Sequence, residues 1–267
     1  MTSRVSPKQT LKKMARRIAI IGDSIAAGYG LPPAYAWPNL LAEQLNENWP
    51  RFDWQLLNAS IPGDTTPDAY VRFDAIRRYR PHIVLIALGV NDCRRAASPI
   101  VQRRIERFRR NEQTWWGKSA ILRRVGHRLL SPSTIEIAPE ASSQVSIDDF
   151  TAILSWMVRQ SQAVQALPAL LTLSPLAPRL AEHPDFSACA NYNAIIREIA
   201  GATGAALIEV NRAMSATAWQ VDGIHLTALG QAQLAQRVFR NFRRPPIAPH
   251  LGLEVPANNA QMAPSLA

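Results

Sequence analysis

Residues 17–25 read Arg-Ile-Ala-Ile-Ile-Gly-Asp-Ser-Ile, a short apolar run from Ile18 to Ile21 that stops abruptly at Gly22-Asp23-Ser24. Basic residues precede it (Lys8, Lys12, Lys13, Arg16 and Arg17), so the start of the chain superficially resembles a signal peptide. The apolar run is too short for that role, and it ends in Gly-Asp-Ser rather than a small-residue cleavage site. It reads instead as a buried strand. A serine just beyond its end lies in a turn leading to a helix, where backbone N–H groups are free to meet an anion.

The same rhythm continues outward from this stretch. Residues 37–45 place Trp37, Leu40, Leu41 and Leu45 at helical spacing, and Phe52, Trp54 and Leu56 then alternate as a strand does. Residues 68–79 read as one helix with Val71, Ala75, Ile76 and Tyr79 on a single face. Pro81 stops it, and residues 82–88 form an unbroken apolar run of the kind buried in a parallel sheet. Ser146-x-x-Asp149 predicts a capping box for a helix over 147–165, followed by a strand at 169–173. A helix at 191–200, a strand at 205–210 and a closing helix at 228–242 complete the pattern. Strands alternating with helices predict a three-layer α/β/α sandwich around a parallel five-stranded sheet.

Composition agrees with one such domain. The chain has 267 residues, 47% of them hydrophobic and 19% charged, enough apolar content to build a sizeable core. We place the domain at residues 17–244, after a basic N-terminal extension at 1–16. Residues 245–267, rich in Pro, Ala and Asn without periodicity, are expected to form a mobile tail. Cys93 and Cys189 are the only cysteines, so no disulfide framework is expected, and two reduced thiols with no export signal suit a cytoplasmic protein. No stretch approaches the roughly 20 apolar residues needed to span a bilayer.

Residues 93–145 break the rhythm. They are far longer than a 2–6-residue strand-to-helix loop, so they form an insertion after the third strand, expected to be helical. Arg94, Arg95, Arg103, Arg104, Arg107, Arg109, Arg110, Lys118, Arg123, Arg124 and Arg128 lie there against Glu106 and Glu112. Residues 94–128 therefore carry almost all of the net charge of +10. Ile100, Ile105, Phe108, Trp115, Trp116, Ile121, Leu122, Val125, Leu129 and Leu130 alternate with the charges. One reading is a lid whose apolar face packs on the core; the other is a basic amphipathic surface for an anionic substrate or membrane. No reader motif points to nucleic acid.

Four blocks fall at the predicted carboxyl ends of strands, the edge where open α/β sheets place their sites. They are Gly22-Asp23-Ser24-Ile25, residues 58–65 (Asn-Ala-Ser-Ile-Pro-Gly-Asp-Thr), Gly89-Val90-Asn91-Asp92, and Asp222-Gly223-Ile224-His225 before the last helix. The i, i+3 spacing of the last lets Asp222 accept from His225 Nδ1–H while Nε2 faces Ser24. Gly63 can turn its N–H towards a carbonyl oxygen, and Asn91 offers a side-chain donor. Together these supply a nucleophile, a base, an orienting acid and an oxyanion hole, the set that acyl transfer requires. Asp23 and Asp64 read as turn or helix-cap residues.

On these blocks the sequence resembles the SGNH (GDSL-type) hydrolases over residues 17–88 and 146–242. The branch of arylesterases and lysophospholipase/thioesterases is the nearest in residues 58–66 and 80–92. The resemblance implies a flavodoxin-like core and no cofactor. It implies Ser24 as nucleophile, Asp222 and His225 as its partners, and Ser24, Gly63 and Asn91 as oxyanion donors. Small members of that branch are exported and lack the insertion, so their substrate range does not transfer. The expected activity is hydrolysis of carboxylic esters or thioesters on small or lipid-like acyl groups. Carbohydrate O-acetyl esters are the alternative substrate, and an anionic-surface-binding protein with a vestigial site is the alternative of another class. His82, His127, His183, His225 and His250 are scattered and neither cysteine has a partner at ligand spacing, so no metal is expected. The partner expected is a small-molecule ester, and the sequence leaves the oligomeric state open.

Overall fold

The computed structural model describes residues 13–95 and 143–254. In chain order, β1 is Met14–Gly22, α1 Ser24–Ala27, α2 Trp37–Asn48, β2 Phe52–Asn58, α3 Thr66–Tyr70, α4 Phe73–Tyr79, β3 Ile83–Ala87 and α5 Val90–Cys93. After the insertion come α6 Ile147–Ala163, β4 Leu167–Leu171, α7 Cys189–Thr203, β5 Ala206–Ile208, α8 Ala228–Phe242 and α9 Ile247–Leu251.

The five strands pair in the order β2-β1-β3-β4-β5, all parallel. The order turns back between β1 and β3, the switch point where such sheets leave a crevice for ligands. Ser24 follows β1 and Asn91 follows β3, so the two face that crevice from its two sides. Ile18, Ala19, Ile20 and Ile21 are fully buried because β1 lies in mid-sheet and is covered on both faces. On one face α2 packs on β2 and on α8; on the other α6 packs against α3, α4 and α7. Burying an aliphatic side chain of this kind stabilises by about 1.5–3 kcal/mol, so the central strands anchor the fold.

Local chemistry accounts for most element ends. Ser146 caps α6, its hydroxyl accepting from Asp149 N–H at 3.1 Å, as the capping signature predicts. Thr227 caps α8 through Gly230 N–H. The expected helix over 68–79 is instead two helices, α3 and α4, broken at Val71-Arg72, and Val71 is 78% exposed rather than on a buried face. Arg72 explains the break, because its guanidinium turns away into the preceding loop, reaching the Ala59 carbonyl and the Asp64 carboxylate. β4 begins at Leu167, two residues before the expected start, because pairing with β3 aligns Leu167 with Ile83.

Both domain edges differ from expectation. β1 starts at Met14 and pairs with β2 from that residue, so part of the expected extension is sheet. In the expected tail, α9 buries Ile247, Ala248 and Leu251, and the Leu251 carbonyl accepts from Arg16 at 2.9 Å. The lid and surface readings of the insertion rest on residues 96–142, which lie outside the described residues. Of its arginines, Arg94 and Arg95 are described: Arg95 N–H donates to the Asp185 carbonyl at 3.0 Å, and the Arg94 guanidinium is held by the Asp185 carboxylate, 2% exposed, at 2.6 Å. That guanidinium is therefore unavailable to an anionic partner.

The cysteines correct another expectation. Cys93 and Cys189, 96 residues apart in sequence, are joined in a disulfide with their Cα atoms 5.3 Å apart. The end of α5 and the start of α7 meet here, and that separation falls in the usual disulfide range. Paired cysteines lend no support to a cytoplasmic location. Among the described residues, no helix is long and apolar enough to cross a membrane.

Candidate active site

Ser24 opens α1, directly beyond the carboxyl end of β1. Asp23 caps that helix, its carboxylate accepting from Ile25 N–H at 2.9 Å, and it is 2% exposed. Burial raises the Asp23 carboxyl from 3.8 to about 6, against the opposing Ile25 N–H bond and the nearby His225. Asp23 thus fills the cap role expected of it. Asp64 fills the turn role, its N–H donating to the Ile61 carbonyl at 3.2 Å, and its carboxylate pairs with Arg72.

Ser24 Oγ lies 2.9 Å from His225 Nε2, and His225 Nδ1 lies 2.5 Å from Asp222 Oδ2. The other Asp222 oxygen accepts the backbone N–H groups of Ile224 and His225 at 2.9 and 3.0 Å. Burial works to raise the Asp222 carboxyl, but the His225 ring and these N–H donors hold it below the ordinary 3.8. An ionised Asp222 keeps the ring proton on Nδ1. Nε2 is then left as an acceptor for the Ser24 hydroxyl. The Tyr29 ring packs against His225 with centroids 4.8 Å apart. The Gln220 amide spans the two loops, donating to the carbonyls of Tyr29 and Leu226, each at 2.9 Å, and Gln220 N–H donates to the His225 carbonyl.

Gly63 and Asn91 approach from the neighbouring loops. Gly63 has φ +85°, a left-handed conformation that a side chain would strain, and its N–H has no acceptor among the described residues. Asn91 sits in the first turn of α5, and its Nδ2 donates to the Asp64 carbonyl at 2.9 Å. Gly89 makes that placement possible. At φ +125° a Cβ there would stand 2.5 Å from Leu173 Cδ2, so the bend needs glycine twice over.

The arrangement is an activated hydroxyl beside unused N–H donors at a sheet edge. A match to the family described as GDSL-like Lipase/Acylhydrolase runs over residues 20–233, well over half of the chain. The chain belongs to this family.

Curated relatives of this GDSL-like chain include an arylesterase of Vibrio mimicus, 38% identical over 88 residues. That match covers 33% of this chain and 43% of the relative, so under half of the arylesterase's length is spanned. Esterase TesA of Pseudomonas aeruginosa is 27% identical over 180 residues, 66% of this chain and 86% of that protein. Among solved structures, an acetylxylan esterase of Geobacillus stearothermophilus superposes with a TM-score of 0.60 at 17% identity, covering 92% of this chain and 98% of that one. At that identity the likeness is one of fold.

All five residues singled out from the GDSL-like blocks lie at this one sheet edge. Sequence reasoning passed over Arg72, Thr66 and Gln220, which hold the loops. Several of their partners lie in distant segments (Thr66 with Asp92, Gln220 with Tyr29), so no local pattern marks them. Asp92 belongs to the third block, but its contact with Thr66, 26 residues away, is a tertiary fact.

Proposed function

We propose that the protein is a serine hydrolase cleaving carboxylic ester or thioester bonds of small or lipid-like acyl substrates through an acyl-enzyme on Ser24. The observation that carries the reading is the hydrogen-bonded line Ser24 Oγ to His225 Nε2 at 2.9 Å, continued from Nδ1 to Asp222 at 2.5 Å. Ser24 Oγ attacks the acyl carbonyl carbon as His225 Nε2 takes its proton. The tetrahedral oxyanion is met by Ser24 N–H, Gly63 N–H and the Asn91 amide, each worth on the order of 3 kcal/mol at the transition state. His225 returns the proton to the departing alcohol or thiol. A water then repeats the sequence on the acyl-enzyme, and no step calls on a cofactor. Asp222 orients the imidazole and stabilises its charged form.

The test is a panel of p-nitrophenyl esters from C2 to C16, run beside acyl-thioesters and acetylated sugars, with wild type and Ser24→Ala. Turnover lost in Ser24→Ala, with a fluorophosphonate probe labelling only the wild type, is the expected result. Undiminished turnover in Ser24→Ala would overturn it. Preference for acetylated sugars would move the assignment to a carbohydrate O-acetylesterase.

The arginine-rich stretch supports a finer proposal: that it draws anionic substrates towards the site. Hydrolysis of anionic substrates should then weaken with salt, since screening shortens to about 8 Å at physiological ionic strength. Replacing Arg103, Arg104, Arg107 and Arg110 with Gln should erase the effect and spare p-nitrophenyl acetate. Equal salt curves for both proteins would sink this reading.

A further inference from the structure

Two segments meet over the crevice and grip each other reciprocally. From one side, Asn91 Nδ2 donates to the Asp64 carbonyl at 2.9 Å. From the other, Thr66 donates twice to Asp92 Oδ1, through its N–H at 2.8 Å and its hydroxyl at 2.6 Å. Adjacent residues of the α5 segment thus hold residues 64 and 66 of the loop that carries Gly63. Asp92 and Thr66 are both 0% exposed. The second oxygen of Asp92 has no hydrogen-bond partner among the described residues.

A fully buried carboxylate with only one oxygen satisfied is a costly way to cap a five-residue helix. A neutral side chain would hold Thr66 with less desolvation, so the charge is not explained by stability. Its geometric effect is specific. Bonds to an ionised acceptor are short and strong, and both donors converge on one oxygen, which fixes the Gly63 loop against α5.

We infer that Asp92 is a positioning residue: through Thr66 it sets the distance between the Gly63 N–H and the Asn91 amide, and so the fit of the oxyanion hole to the transition state. The inference rests on the serine hydrolase reading above. Asp92 touches neither substrate nor reacting atoms. Its contribution belongs to the step in which charge develops on the acyl oxygen, because misplaced donors cost little when the oxygen is still a neutral carbonyl.

The experiment measures kcat and KM on p-nitrophenyl butyrate for wild type, Asp92→Ala, Asp92→Asn and Thr66→Val, each normalised by fluorophosphonate active-site titration. An alkylboronic acid, which mimics the tetrahedral adduct on serine, is titrated against each. Asp92→Ala should lose about 10- to 100-fold in kcat with KM within about twofold. Asp92→Asn, still able to accept from Thr66 but without the charge that shortens the bonds, should recover part of the loss. Thr66→Val removes one hydroxyl at constant shape and should cost about fivefold in kcat without a change in melting temperature. Boronate affinity should fall in step with kcat across the series. If the titrated fraction falls and kcat per active site holds, Asp92 is structural and the inference is wrong. It is equally wrong if Thr66→Val is fully active and Asp92→Asn is as impaired as Asp92→Ala. A wild type with neither turnover nor labelling would instead strike the parent reading, and this inference with it.

Discussion

Asn91 Nδ2 donates to the Asp64 carbonyl at 2.9 Å, and this bond decides which end of the amide faces the loop that carries Gly63. A carbonyl oxygen can accept only from the amide nitrogen. The nitrogen is therefore turned to that loop, and its second N–H makes no hydrogen bond among the described residues.

From this follows an expectation for Asn91→Ala: kcat falls by roughly 10²–10³ while KM changes little, because the bond strengthens only as charge develops. Asn91→Asp, which places an acceptor against the Asp64 carbonyl, should be at least as impaired. Steady-state kinetics on a soluble short-chain ester decide it. A raised KM with kcat intact would make Asn91 a ground-state binding residue.

Asp222→Asn tests the orienting acid. An amide can present its N–H₂ to His225 Nδ1 and so favour the tautomer with its proton on Nε2, which cannot accept from Ser24. We expect activity to drop by about 10⁴ with folding intact, in line with the effect of that change in a serine protease. Near-normal turnover would show that the 2.5 Å contact between His225 and Asp222 is dispensable.

Asp23 predicts a pH dependence of stability. Its carboxyl titrates at about 6 in the folded protein, raised chiefly by burial, and at about 3.8 unfolded. Between those values the folded state holds more protons, so stability falls as pH rises through the window. The full cost, about 3 kcal/mol, is present above pH 6 and absent below 3.8. Asn also caps helices well. Asp23→Asn should therefore melt several degrees higher than wild type at pH 7.5, with the gain vanishing near pH 3.5. Scanning calorimetry at the two pH values checks this, and a gain of equal size at both would refute it.

The Cys93–Cys189 bond closes a long loop, with a sequence separation of 96 residues. Cross-links of that span stabilise by up to about 4–5 kcal/mol in the loop-entropy account. For a domain of this size, reduction, or the pair Cys93→Ala and Cys189→Ala, should lower the melting temperature by about 10 °C. Thiol titration of the unreduced, denatured protein should find no free cysteine. Two titrating thiols, or a melting point indifferent to reductant, would count against the pairing.

What the sequence determined by itself is the layer plan and the site's membership. Ile18–Ile21 and the apolar run before Gly89 are buried on both faces of a sheet, and such runs announce themselves without any partner. The closing helix expected at residues 228–242 has those ends as α8. The four blocks are legible because each carries its chemistry within a few residues. Asp222 and His225 even meet across a three-residue spacing. What tertiary structure decided depends on pairs distant in sequence. Arg72 breaks a helix that periodicity would continue, because its ion pair with Asp64 and its bond to Ala59 outweigh one turn of helix. The start of β4 follows the register of β3, not its own hydrophobicity. Cys93 and Cys189 are unremarkable until α5 and α7 bring them together. Residue type can declare what a side chain is able to do. Only the fold brings its partner within 3 Å, because a hydrogen bond or ion pair depends on distance in space and leaves no period along the chain.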